Sequence, residues 1–239
     1  MNINKLNSYF KYIIHSIVIK LSSRPIIKQE ILLRLALIEE GIDLSTVKIE
    51  CYHDIGLSKV NGIKFGIKYP MSFYKKAYSL IPKIKTIDFY FNGNTDESGK
   101  RNILLEPFKK FKKSIIISSN DGRKIKNKGK FNLEYFEPFA HSKFGLCPHQ
   151  MDWDVSFKNM WTYRFIESCF VGAIPVLFKE TPLGQDFIHN FYYEWNTEII
   201  KNESYEYKEK EAKKNRELSK LIFCFTDEEI KSIKNSIIE

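Results

Sequence analysis

One pattern constrains this chain more than any other. From residue 85 to residue 195, short apolar runs alternate with stretches whose apolar positions recur at helical spacing. Lys85–Asn92 (KTIDFYFN), Ser114–Ser119 (SIIISS), Lys143–Pro148 (KFGLCP) and Ala173–Phe178 (AIPVLF) read as strands. Lys100–Phe111, Asn132–Ala140, Trp161–Val171 and Phe187–Trp195 read as helices. A continuously apolar strand such as SIIISS suits a sheet covered on both faces, which is where parallel strands are found. Alternating strands and helices therefore predict an α/β domain with a doubly wound parallel sheet.

The flanks are different in kind. Residues 4–40 read mainly as helix, broken at Pro25 and ended at Gly41. Residues 46–51 (TVKIEC) alternate polar and apolar like a strand, which places His53 and Asp54 in the loop after it. Met71–Ile81 reads as a helix closed by Pro82. The tail reads as two helices, Tyr205–Leu221 and one from Asp227, with Thr226 and Glu229 spaced as a capping box. These patterns divide the chain at 1–82, 83–200 and 201–239.

Composition narrows the function classes. With 43% hydrophobic and 15% aromatic residues, the chain of 239 residues has ample material for a core and is not intrinsically disordered. Its net charge of +9 points to an anionic partner. Residues 101–130 concentrate that charge, with ten basic side chains against Glu106 and Asp121. Cys51, Cys147, Cys169 and Cys224 form no Cys-x-x-Cys pair, so a reducing, cytoplasmic setting is expected. Cys147, His149 and His141 match no common zinc-ligand spacing, and no metal is expected. The apolar run Tyr12–Leu21 is interrupted by His15 and Lys20, far short of the roughly 20 apolar residues that span a bilayer.

In an open parallel sheet, ligands bind beyond the carboxyl ends of the strands. Three loops at such ends carry chemistry. Asn92-Gly93-Asn94, with Arg101 downstream, suits a diphosphate: glycine allows close backbone approach and the arginine supplies a fixed cation. His149, Asp152, Asp154 and Lys158 follow the strand KFGLCP and could do acid–base work. Arg164 and Glu167 stand three apart on one face of an otherwise apolar helix, where the arginine can hold a phosphate and the glutamate a ribose.

Lys143-Phe-Gly-Leu-Cys-Pro148, Thr162-Tyr-Arg164-Phe-Ile-Glu167 and Gly172-Ala-Ile-Pro-Val176, in this order and spacing, resemble the donor-binding half of the exostosin-like glycosyltransferases, which are of the GT-B type. The resemblance covers about residues 85–180. It implies a Rossmann-like donor domain binding a nucleotide diphosphate sugar, with residues 1–82 as a short acceptor-side α/β unit, a reduced GT-B. It also implies transfer to a glycan or glycolipid acceptor, such as a surface polysaccharide, a lipopolysaccharide or a glycoprotein glycan, with inversion and without metal. In that scheme Glu167 meets the ribose, Arg164 the diphosphate, and Gly93 and Arg101 match the opening glycine loop and its arginine. The chain departs from the family at Thr162, where a serine is usual, and at His149-Gln150, where Arg-Gly is usual; His149 then takes the place of the basic group. Asp54 is the expected general base, His53 its neighbour, and Asp152 and Asp154 the rivals.

Two other classes fit parts of the sequence: a basic nucleic-acid-binding protein, and an inert interaction module that keeps the fold. The aromatics fall in apolar strands and helices rather than among the lysines, and no RNA-recognition or zinc-finger signature is present, so nucleic acid is not expected. The basic block suits either the surroundings of a diphosphate or peripheral contact with the inner face of an anionic membrane.

Overall fold

The computed structural model describes residues 28–52, 56–95, 100–118, 131–148, 162–178, 190–195 and 205–238. They fall into two compact units, Met1–Phe73 with Leu221–Glu239, and Tyr74–Lys220. The chain passes from one to the other inside two helices, α2 (Met71–Ser79) and α6 (Glu209–Phe223).

The first unit contains helix α1 (Lys28–Glu39) and strands β1 (Ile49–Tyr52), β2 (Leu57–Val60) and β3 (Ile63–Phe65). The strands form an antiparallel meander in the order β1-β2-β3. Asn61 and Gly62 link β2 to β3 with φ of 49° and 82°. An Asn-Gly pair tolerates this left-handed backbone, and it is a strong hairpin signal that the strand reading of the sequence passed over. Helix α7 (Asp227–Ile238) belongs to this unit, because Ile230 and Ile233 share a core with Leu33, Leu37, Val60 and Phe65. The capping box is formed: Glu229 Oε2 accepts from Thr226 N at 2.9 Å, and Thr226 Oγ1 accepts from Glu229 N at 3.3 Å. The tail grouped as 201–239 in the sequence is thus shared, with α7 in one unit and most of α6 in the other.

The second unit is an α/β structure around a five-stranded sheet in the order β5-β4-β6-β7-β8. The strands are β4 (Ile87–Gly93), β5 (Ile115–Ser118), β6 (Ser142–Cys147), β7 (Ile174–Phe178) and β8 (Tyr193–Trp195), and every pairing is parallel. On one face, Phe89, Phe91, Phe144, Leu146 and Val176 pack with Leu105 of α3 (Lys100–Leu105) and Ala212 of α6. On the other, Tyr90 lies against Tyr135 and Phe139 of α4 (Leu133–Ala140), with ring centroids 5.9 and 4.8 Å away. Helix α5 (Tyr163–Phe170) packs there too: Ser168 Oγ would lie 2.2 Å from a Cβ on Gly145.

Two elements differ from expectation. The helix predicted over Phe187–Trp195 is, in its described part, a strand: Tyr193, Glu194 and Trp195 register with Val176, Leu177 and Phe178. A continuous apolar or aromatic run has no period that separates a buried strand from a helix, and the β7 edge available for pairing decided it. The helix predicted over Lys100–Phe111 ends at Leu105 and tightens into a 3₁₀ turn, Glu106–Lys110, where Pro107 cannot donate to the α ladder.

Candidate functional site

The sheet order sets the place. The chain enters at β4, steps outward to β5, then crosses back to lay β6 on the other side of β4. The crevice beyond the carboxyl ends of β4 and β6 is therefore the topological switch point, where open α/β sheets bind ligands. Gly93 ends β4 and Cys147 ends β6.

Arg164 occupies this position from above. Thr162 caps α5, its Oγ1 accepting from Arg164 N at 3.3 Å, which starts the helix here and aims its first turn at the sheet edge. The Arg164 side chain folds back so that its Cζ sits 4.3 Å from the centre of the Phe91 ring, and Nε donates to Asn92 O at 3.4 Å. A Cβ on Gly93 would lie 1.9 Å from Nη2. The sequence reading left the glycine's space open for a ligand; the structure fills it with the guanidinium. Gly93 lacks a side chain so that Arg164 can reach the strand end. The arginine is only 8% exposed.

Glu167 lies one turn deeper on α5 and is 1% exposed. Its Oε2 accepts from the Tyr135 hydroxyl at 2.8 Å. Tyr135 is held in turn, its carbonyl accepting from Tyr90 Oη at 2.9 Å. Burial pushes the Tyr90 hydroxyl up to about 12, with Glu167 adding to the rise while Asn92 and Arg164 oppose it. Tyr90 therefore stays a protonated donor at neutral pH, and the Tyr135 hydroxyl fixes the carboxylate's orientation. Tyr135 was not singled out in the sequence, although it is the one polar ring on the buried stripe Tyr135, Phe136, Phe139 and Ala140.

Arg101 is buried at the start of α3, with Nη1 donating to Asn94 O at 2.6 Å, so it ties down the loop that leaves β4. Cys147 is fully buried at the end of β6, and burial pushes its thiol up to about 12. A thiol so protonated is no nucleophile at neutral pH. His53, Asp54 and His149, together with Asp152 and Asp154, lie outside the described residues. Among the described residues no three His, Cys, Asp or Glu side chains stand close enough to hold a metal ion, and no helix is long and apolar enough to cross a membrane.

The structure thus brings Gly93 and Arg164 into contact, anchors Glu167 beneath them, and joins Arg101 to the same strand-end loop. The arrangement is a buried guanidinium at the rim of a parallel sheet, at the start of a helix, backed by an oriented carboxylate. Such a rim favours an anion with a hydroxylated group attached. No protein-family model matches the chain, and no curated protein matches it significantly.

Proposed function

We propose that the chain is a glycosyltransferase that takes a sugar from a nucleotide diphosphate sugar and passes it to a glycan acceptor, with a GT-B type donor domain formed by the parallel-sheet unit. The observation that carries the reading is Arg164, buried against Phe91 and Gly93 at the switch point, three residues before a buried, oriented Glu167. In this scheme the diphosphate lies across the ends of β4 and β6, its charge offset by Arg164 and by the N-terminal N–H groups of α5. A ribose hydroxyl donates to Glu167. A carboxylate oxygen accepts more than one hydrogen bond, so this contact adds to the Tyr135 bond without replacing it.

The transfer balances as a single displacement. The acceptor oxygen forms its bond to the anomeric carbon as the bond to the diphosphate oxygen breaks, and the acceptor proton passes to a general base. Asp54 or His53 is assigned to that base from the sequence. The nucleoside diphosphate leaves with the added negative charge, which is what the guanidinium stabilises.

The test is thermal denaturation of the full chain with UDP, GDP, CDP and their sugars, with and without divalent metal. A ligand confined to the folded state adds about 2.7 kcal/mol at a hundredfold excess over its Kd. One diphosphate and its sugar should raise the melting temperature, and Arg164→Ala should remove the rise. If none of them shifts the wild type while oligonucleotides bind in a salt-sensitive way, the nucleic-acid reading replaces this one.

A further inference from the structure

The lysine block that the sequence offered to the diphosphate is not, in its described part, near the proposed donor site. Lys109, Lys110, Lys112 and Lys113 precede β5, and Asp88 N donates to Lys113 O at 2.8 Å, so they lie beside the start of β4. Gly93 and Arg164 are at the other end of that strand. A seven-residue strand is about 23 Å long. These lysines belong to a different surface: the β5 edge of the sheet and the end where its strands begin.

That surface has two further properties. Among the described residues, strand β5 is an outer strand of the sheet, paired with β4. Large exposed aliphatic side chains stand along this edge: Ile84, just before β4 at the end where the strands begin, is 77% exposed, while Ile117 on β5, at 44%, registers with Asn92, and Ile103 on α3, at 72%, follows the same finishing end of β4. Ser118 Oγ donates to Asn102 Oδ1 at 3.0 Å, which holds α3 against the end of the same strand. The acidic groups nearby are engaged: Glu106 with Lys109, and Asp88 with Lys143 at 2.8 Å.

We propose that this edge is a docking surface for an anionic lipid bilayer. Lysines and exposed aliphatic side chains along one sheet edge suit a lipid interface, where the ammonium groups meet headgroups and the aliphatic groups enter the acyl boundary. Single-stranded nucleic acid requires aromatic platforms for its bases. Here the neighbouring rings are engaged with the core: Phe108 and Phe111 pack edge-on and tilted against Phe89, each ring centroid 4.9 Å from it. The inference does not depend on the donor site: the lysines lie at the end where the strands begin, and Ile117 and Ile103 extend the contact along the β5 edge toward the end where they finish.

The experiment is co-sedimentation of the full chain with vesicles of phosphatidylcholine alone and of phosphatidylcholine with 30% phosphatidylserine, at two salt concentrations. The wild type should partition onto the anionic vesicles alone, and more weakly at high salt. Each neutralised lysine should lower the partition about fivefold, so K109Q/K110Q/K112Q/K113Q should nearly abolish it. Ile103→Ser with Ile117→Ser should weaken the binding that remains at high salt. All six positions are solvent-facing, and an unchanged melting temperature verifies that the variants fold. Equal partition onto both vesicle types overturns the proposal, as does full binding by the quadruple variant, which would move the contact to another basic stretch. Binding to duplex or single-stranded oligonucleotides without binding to vesicles overturns it in favour of nucleic acid.

Discussion

The two ends of the parallel sheet each hold a basic side chain, half-buried Lys85 at one and buried Arg164 at the other, with opposite consequences. At the end where the strands begin, Lys85 Nζ donates to Ala140 O at 2.6 Å and to Val171 O at 3.0 Å. These carbonyls close α4 and α5, so one ammonium caps two helix C-termini. Tyr207 assists by donating to Gly172 O at 2.8 Å. At the end where the strands finish, Arg164 lies on an aromatic ring at the start of α5. The difference follows from βαβ connectivity. Helices end where strands begin, so partial negative charge collects at that edge and satisfies a cation internally. They begin where strands finish, so partial positive charge collects there, and a guanidinium increases it. One edge is electrostatically closed; the other carries an excess of positive charge.

The strongest way to break this contrast is Gly93→Ala. The new methyl group must displace the Arg164 guanidinium, at a stability cost of about 1–3 kcal/mol. Nucleoside diphosphate affinity should fall by about a hundredfold, as in Arg164→Ala, each such tenfold being 1.4 kcal/mol. The double variant should bind no worse than either single one, since both act through the same group. Additive losses by calorimetry would show that the glycine touches the ligand directly.

Glu167→Gln tests the carboxylate while keeping an acceptor for Tyr135. Loss of a charged hydrogen bond to ribose should weaken donor binding by about tenfold or more. The melting temperature should change little. A variant that binds as tightly as wild type would make Glu167 a purely structural group.

Lys85→Met sharpens the comparison from the closed end. Burial, with the charge of Arg216 adding to it, pushes Lys85 down to about 7 from its ordinary 10.5. Between these values the unfolded chain holds more protons at this position, so stability should rise with pH from about 7 to about 9. Above about 9 the trend reverses, because burial raises Cys147 from its ordinary 9.0 to about 12, pushes Cys169 up as well, and raises Tyr90 and Tyr207 from their ordinary 10.0 to about 12, so the folded state then holds the extra protons. The methionine variant should flatten the rise between pH 7 and 9 in chemical denaturation and leave ligand affinity untouched. An unchanged slope would show that Lys85 keeps its ordinary titration. The smallest effect is expected from Tyr135→Phe, about 1 kcal/mol of stability, with a modest loss of donor affinity; no change in either would remove Tyr135 from the site.

Much of the framework was legible because its causes are local. The apolar runs at 87–93, 115–118, 142–147 and 174–178 are strands close to where their residues place them. Thr226 and Glu229 form the box their spacing predicts, since both partners lie within one turn. Arg164 and Glu167 stood out as charges on an apolar helix, and both are buried there. Tyr193–Trp195 was misread for the complementary reason: its state depends on a partner strand, which no local period encodes.

By itself, then, the sequence determined the strand–helix alternation that makes the first four strands of the parallel sheet, and the residue types able to bind an anion. Tertiary structure alone decided the strand order, and with it the switch point between β4 and β6. It also decided that Gly93 yields its space to an arginine 71 positions later, and that Glu167 is oriented by a tyrosine from a different helix. Backbone propensity and periodicity act over a few residues, whereas these contacts exist only after distant segments have packed against a common sheet.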